Sequence, residues 1–179
     1  MNNYKEHSLQ YKTIIDQAGI QKIEKVTSHL QELGILYEIW YHPPLPTIEE
    51  AIEYWKDMPG THCKNLFFRN HKGNRHYLVL LECHQTLDIH SLEQKLKQGK
   101  LSFASDKRME KYLGVTPGSV TPFGLINDSD KHVKVFIESE LLDVTHISFH
   151  PNDNRASLVL SNNDFKKYLH NRGNQVEYI

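Results

Sequence analysis

Three stretches of the chain set reactive or ligand-binding residue types side by side. The first is His62-Cys63-Lys64-Asn65-Leu66-Phe67-Phe68-Arg69, in which polar residues head an apolar run. At the start of a strand, a lysine can point into a cleft and hold an anion or a carbonyl oxygen, and an asparagine can fix an amine or a hydroxyl. Lys64 can equally lie along the strand edge with its ammonium in water. The second stretch, residues 114–124, holds three glycines, two prolines and three hydroxyl residues. Proline stiffens such a loop and glycine lets backbone N–H groups approach a ligand, so it can stabilise the oxyanion formed when water attacks an ester or amide. A purely structural crossover loop would share that composition. The third, His150-Pro151-Asn152, closes a strand with a histidine suited to positioning a ligand or carrying a proton. With 12 histidines in the chain, a structural role is the ordinary reading of any one of them.

Other chemistries fit less well. Cys63 and Cys83 lie equidistant from Gly73, so a three-residue loop centred there would set them opposite each other, flanked by His62 and His84. That raises zinc, but no compact Cys-x-x-Cys unit is present and both cysteines sit in apolar runs, which favours buried thiols and no metal. Neither a phosphate-binding Gly-x-x-x-x-Gly-Lys-Ser/Thr, nor Gly-x-Gly-x-x-Gly, nor a Gly-x-Ser-x-Gly elbow occurs. No cofactor is expected.

The elements that must hold these residues follow from periodicity and breakers. Residues 8–33 carry apolar positions at helical spacing, and Gly34 stops them. Residues 35–41 are aromatic and β-branched and predict a strand. Thr47 with Glu50 forms a capping box for a helix through Ala51, Ile52 and Trp55. Strands at 63–69 and 75–83 form a hairpin. Helices are expected at 88–98, capped by Asp88 or Ser91, and from Ser105 or Asp106 to Leu113. Strands follow at 133–137, 146–149 and 156–160, then a helix at 163–169 capped by Ser161 and an edge strand at 176–179. The order implies α+β: a mixed, mostly antiparallel sheet or barrel-like core with flanking helices.

The chain has 179 residues, long enough to bury roughly 70% of its unfolded surface without disulfides or a structural metal. No run of apolar residues is long enough to span a membrane. The first six residues lack the apolar core of a secretory signal, and two cysteines suit a reducing compartment, so a cytoplasmic location is expected. A formal net charge of -1 argues against bulk coating of nucleic acid. The charge is uneven, however. Residues 30–60 sum to -5, whereas 61–76 (Lys64, Arg69, Lys72, Arg75) and 95–111 (with Lys107 and Arg108) each sum to +4. These are either solvated segments or one anion-binding face.

The segments Cys63–Phe68, Arg75–Leu80, Leu101–Ser105, the run YLGVTPGSVTPFGLIND at 112–128, and Phe149-His150-Pro151-Asn152 together resemble the YbaK/ProX family. More closely they are similar to its prolyl-tRNA editing branch, the ProXp-ala/PrdX-like alanyl-tRNA(Pro) deacylases. The resemblance covers roughly residues 25–178. It implies that residues 1–24 are an N-terminal helical extension and 25–179 a YbaK-like aminoacyl-tRNA editing domain. It also implies hydrolysis of mischarged alanyl-tRNA(Pro) by water, because a proline pocket rejects the smaller alanine by only ~1–3 kcal/mol and a second site must remove the error. By the same resemblance Lys64, Gly118 and His150 are catalytic, and Asn65, Ser119, Thr121 and Pro122 bind substrate. Arg69, Lys72, Arg75, Lys107 and Arg108 would border the acceptor end of tRNA(Pro). Prolyl-tRNA synthetase or an elongation factor would be a transient partner of a monomer or weak dimer. The alternatives are a deacylase for another mischarged tRNA, such as cysteinyl-tRNA(Pro), and a non-catalytic tRNA- or synthetase-binding module.

Overall fold

The computed structural model describes residues 4–45 and 48–179. Thr47, the expected cap, lies outside the described residues. Strands β1 (Tyr4–His7), β2 (Tyr37–Tyr41), β3 (Thr61–Arg69), β4 (His76–Glu82), β5 (Ser102–Phe103), β6 (Val133–Ile137), β7 (His146–Phe149), β8 (Ala156–Ser161) and β9 (Val176–Tyr178) form one mixed sheet. Its order is β1-β2-β8-β7-β3-β4-β6-β9, with β5 added to β3. Helices α1 (Gln17–Glu32), α2 (Ile48–Trp55), α3 (Ile89–Leu96), α4 (Asp106–Leu113) and α5 (Asn162–Arg172) flank it. Among the described pairs, β2–β8, β3–β4, β3–β5 and β7–β8 are antiparallel, and β1–β2, β3–β7, β4–β6 and β6–β9 are parallel. The chain is thus α+β with a mixed sheet.

Strand alternation divides the interior in two. Tyr37, Ile39 and Tyr41 of β2, Phe67 of β3, Leu78 and Leu80 of β4 and Val133 and Val135 of β6 join the main core with Ile23, Val26 and Leu30 of α1 and Phe165 and Tyr168 of α5. The intervening residues Phe68, Tyr77, Val79 and Leu81 face the other way and pack with Leu92 of α3 in a smaller core. β4 is therefore apolar on both faces, which explains its unbroken run of apolar residues.

The helix ends obey local chemistry. Asp88 Oδ1 accepts from Ser91 N at 3.0 Å, and Ser161 Oγ accepts from Asp164 N at 3.0 Å. Two expectations need correction. Residues 4–7 are a strand, not part of a helical extension, and α1 runs unbroken through residue 24, where a domain boundary was expected. β1 has little apolar signal of its own. It is held as a parallel edge by ring pairs against β2, Tyr4 on Tyr37 at 5.4 Å and His7 on Trp40 at 3.9 Å. The β3–β4 hairpin pairs Arg69 with His76, so an even-numbered loop, 70–75, shifts the register and sets Glu82, not Cys83, opposite Cys63.

Asp128 joins the second half of the sheet to the three-ten helix Pro122–Asn127. Its buried carboxylate accepts from His132 N (3.1 Å), Val133 N (2.8 Å) and Asn174 Nδ2 (2.8 Å), tying the start of β6 to the segment before β9. Asp128→Ala would leave these donors buried without an acceptor. We expect it to lower the unfolding free energy by about 3 kcal/mol in urea titration, and Asp128→Asn to lower it by less.

Candidate active site

β3 and β7 are parallel neighbours for only two residue pairs, Thr61–Ile147 and His62–Ser148. Beyond these the strands separate, and the crevice at the carboxyl ends of parallel strands is where such sheets bind ligands. Loop 114–124 fills this opening. Asn65 Nδ2 donates to Val120 O at 2.9 Å from the β3 side, and Thr121 Oγ1 donates to His150 O at 2.7 Å on the β7 side. The loop is stapled to both strands.

Its sequence explains its shape. Ser119 N donates to Thr116 O at 3.0 Å, closing a turn with Pro117 and Gly118 at its centre. Gly118 has φ +82°, the left-handed value that the third position of such a turn demands of glycine. Thr121 then accepts from Phe123 N at 3.2 Å and starts the Pro122–Asn127 helix, with Pro122 in its first turn. The N–H groups of Gly118 and Val120 have no acceptor among the described residues, and Gly118 is exposed. Two free donors on a stiffened backbone can receive an oxyanion. The Ser119 N–H is already committed to the turn. Ser119 and Pro122 are buried, and the Thr121 hydroxyl is occupied on both sides. The geometry therefore casts Thr121 and Pro122 as groups that shape the loop.

Alternation along β3 separates the two residues singled out at its head. Asn65 shares a face with Phe67, toward the main core, and Lys64 shares a face with His62, Leu66 and Phe68. Lys64 is half-buried, and its ammonium makes no hydrogen bond or ion pair among the described residues. Asn65 spends its amide N–H on the loop, while its Oδ1 is buried with no partner. His62 stacks flat on Trp55 of α2 at 4.3 Å, and His62 Nδ1 and Trp55 Nε1 are likewise buried without partners. Buried polar atoms are nearly always satisfied, so these unpartnered groups on β3 and α2 are ones an outside partner could pair with.

His150 Nδ1 lies 2.9 Å from Ala156 O. A carbonyl only accepts, so Nδ1 carries the hydrogen and Nε2 keeps its lone pair. His42, at the end of β2, has its ring 5.8 Å from that of His150. His42 Nδ1 donates to Pro43 O (2.8 Å), and its Nε2 accepts from Ser157 Oγ (3.0 Å). Sequence reasoning missed this Ser–His contact because the residues are 115 apart. Ser157 is only 2% exposed, out of reach of a bulky ester, so the pair braces the site and supplies no nucleophile. The stretch that follows His150 is clamped too. Arg155 grips Asp153 through Nε (2.8 Å) and Nη2 (2.7 Å) and reaches Asp16 at the head of α1 (3.1 Å). Asn152 takes a left-handed conformation, φ 64°, and its Oδ1 is also unpartnered.

The basic residues divide into two groups. Arg69 Nη1 donates to Asn70 O (3.1 Å) and His71 O (3.0 Å). Arg108 Nη1 donates to Gly73 O (2.7 Å) and to His76 Nε2 (2.8 Å). Both arginines thus hold the β3–β4 loop. Lys72, Arg75 and Lys107 are exposed and carry no ion pair among the described residues. Cys63 and Cys83 do not face each other across the hairpin, since Cys63 pairs with Glu82. Among the described residues the one group with metal-ligand proximity is Glu82, Cys83 and His84. There Cys83 Sγ donates to Glu82 Oε1 at 3.1 Å, and burial followed by that bond pushes the thiol up to about 12, so it stays protonated.

Burial lowers His42 and His62 to about 4 and also lowers His150, each from an ordinary value of 6.5. The imidazoles are neutral at pH 7. Their folded values lie below the unfolded ones, so the unfolded chain takes up more protons in this window. The stability they contribute is complete above pH 6.5 and is lost as pH falls towards 4. The melting temperature should fall steadily across that window, and His42→Asn should flatten the decline.

The family model for the aminoacyl-tRNA editing domain matches residues 42–168. The Prolyl-tRNA editing protein ProX of Acetoanaerobium sticklandii is 40% identical over 156 residues, covering 87% of this chain and 95% of that protein. A Bos taurus protein named Prolyl-tRNA synthetase associated domain-containing protein 1 is 32% identical, with 87% and 93% covered. A solved structure described as a candidate trans-editing enzyme for prolyl tRNA synthetase superposes with a TM-score of 0.65 at 22% identity, covering 88% of this chain and 95% of that one, a likeness of fold.

Proposed function

The chain belongs to the aminoacyl-tRNA editing domain family and is an editing hydrolase, and from that premise we propose that it removes alanine from mischarged alanyl-tRNA(Pro). The observation that carries the reading is the crevice between β3 and β7. Loop 114–124 bonds to Asn65 of β3 on one side and to His150 O on the other and keeps the Gly118 and Val120 N–H groups free among the described residues, which supports a site built on backbone donors, while the His42–Ser157 contact is buried.

Water attacks the ester carbonyl carbon. The carbonyl oxygen takes the negative charge and is met by the Gly118 N–H, with Val120 N–H as the second free donor. Lys64 holds the carbonyl oxygen or the terminal phosphate electrostatically. His150, its Nδ1 fixed on Ala156 O, presents Nε2 to the aminoacyl end. Collapse breaks the bond to the ribose oxygen, which leaves with the proton that water brought. The products are free alanine and a tRNA with its terminal hydroxyl restored. The unpartnered Asn65 Oδ1 is an acceptor for the substrate's α-ammonium or a ribose hydroxyl.

Lys72, Arg75 and Lys107 support the acceptor end, and delivery by prolyl-tRNA synthetase or an elongation factor suits a cytoplasmic monomer or weak dimer. Among the described residues no helix is long and apolar enough to cross a membrane.

The decisive experiment offers purified protein alanyl-, cysteinyl-, seryl- and prolyl-tRNA(Pro) and follows release of each amino acid. Alanine should be released fastest and proline spared. Preference for cysteine, or no hydrolysis at all, would overturn the assignment. In single-turnover assays Lys64→Ala should slow deacylation at least about tenfold, the loss of a charge-assisted contact of ~1.5–3 kcal/mol. An unchanged rate removes Lys64 from the mechanism. The affinity for tRNA should weaken as salt rises.

A further inference from the structure

Phe103 is the most exposed large apolar side chain among the described residues, at 62%. It lies on β5, the two-residue strand that takes the edge of β3 left open after β7 departs, in register with Phe68. The two rings stack with centroids 4.7 Å apart and planes 26° apart, and Phe68 beneath is 1% exposed. One face of the Phe103 ring is therefore seated and the other is open. Register also fixes its direction. Phe68 shares a strand face with Lys64 and lies four residues further along, so the Phe103 ring stands on the same side of the sheet as Lys64, about 13 Å down the strand. Lys100 and Lys107 flank it in sequence and make no ion pair among the described residues, and Asp106 is the sole acid between residues 98 and 109.

A fixed, half-covered aromatic ring in a cationic setting, a short distance from where an ester of a nucleic acid would react, has the properties of a stacking platform for single-stranded RNA. We propose that Phe103 stacks against an unpaired base of the substrate's 3′ strand just upstream of the terminal adenosine, with Lys100 and Lys107 beside the adjoining phosphates. This rests on the reading of the substrate given above. The positive surroundings favour a polyanion over a protein partner or a second copy of the chain, both of which would more readily seat an apolar patch ringed by mixed charge.

The test compares two substrates and a binding signal. On alanyl-tRNA(Pro), Phe103→Ala should reduce kcat/KM at least about fivefold, the lower range for loss of one stacked base, while Phe103→Tyr stays within about twofold of the parent. On 2′(3′)-O-alanyl-adenosine, which has no upstream base, all three should be equal. Equal rates for Phe103→Ala and the parent on the tRNA, or an equal loss on both substrates, would overturn the platform. If the parent hydrolyses neither substrate, the substrate reading has failed, and the platform is judged by binding alone. The added tryptophan emission of Phe103→Trp should then be quenched by the single strand 5′-ACCA, and an unquenched signal rejects the proposal. A change in oligomeric state of Phe103→Ala with unaltered tRNA kinetics would assign the ring to self-association instead.

Discussion

The candidate site depends on two strands that begin as neighbours and are then kept apart. β3 and β7 share two residue pairs and diverge, and a gap between strands would ordinarily close or admit water. Here it is propped by loop 114–124 through Asn65 on one bank and Thr121 on the other, while Tyr168 of α5 donates to Phe123 O at 3.1 Å from below. Each bond is short-range, but together they decide where the Gly118 and Val120 N–H groups stand relative to His150. The reactive groups are few; the polar groups that fix the backbone around them are many. The crevice depends on aim more than on an unusual side chain, which suits the proposed reaction, in which the nucleophile is water and the protein's part is to orient and to receive charge.

The same principle runs through the supports. His42 and Ser157 brace the end of β2 against β8, and Arg155 fastens the stretch after His150 to the first turn of α1 through Asp153 and Asp16. The N-terminal segment is thereby an integral part of the fold. Residues 4–7 complete the sheet edge, and Asp16 serves both as the cap of α1, accepting from Gly19 N at 2.8 Å, and as an anchor for the loop that follows His150. Arg69 and Arg108 play the corresponding part at the far end of β3, where they brace the hairpin from within and leave lysines and Arg75 to face solvent.

Much of this was legible in the residues. The helix caps at Asp88 and Ser161, the strands at 133–137 and 146–149, and the turn chemistry of Pro117-Gly118 depend on local preferences that a linear sequence carries. What was not legible depends on pairing over distance. β1 has no apolar alternation and exists because Tyr37 and Trp40 offer rings to stack on. One residue of loop length decided whether Cys63 met Cys83 or Glu82. Lys64 and Asn65 looked like a pair because they are adjacent, whereas a strand sends neighbours to opposite faces. The His42–Ser157 contact joins β2 to β8, and no local signal could announce it.

The pairing of Thr61 with Ile147 also bears on time. Parallel strands so far apart along the chain form slowly, because loop-closure entropy must be met before their contacts gain anything. Synthesis proceeds from the N-terminus, so the β3–β4 hairpin emerges long before β7 and β8 exist to define the crevice. A ribosome-bound chain that stops short of β8 can own Lys64, Asn65 and the whole glycine–proline loop and still have no cleft. The crevice therefore arrives late and all at once, as a property of the finished sheet.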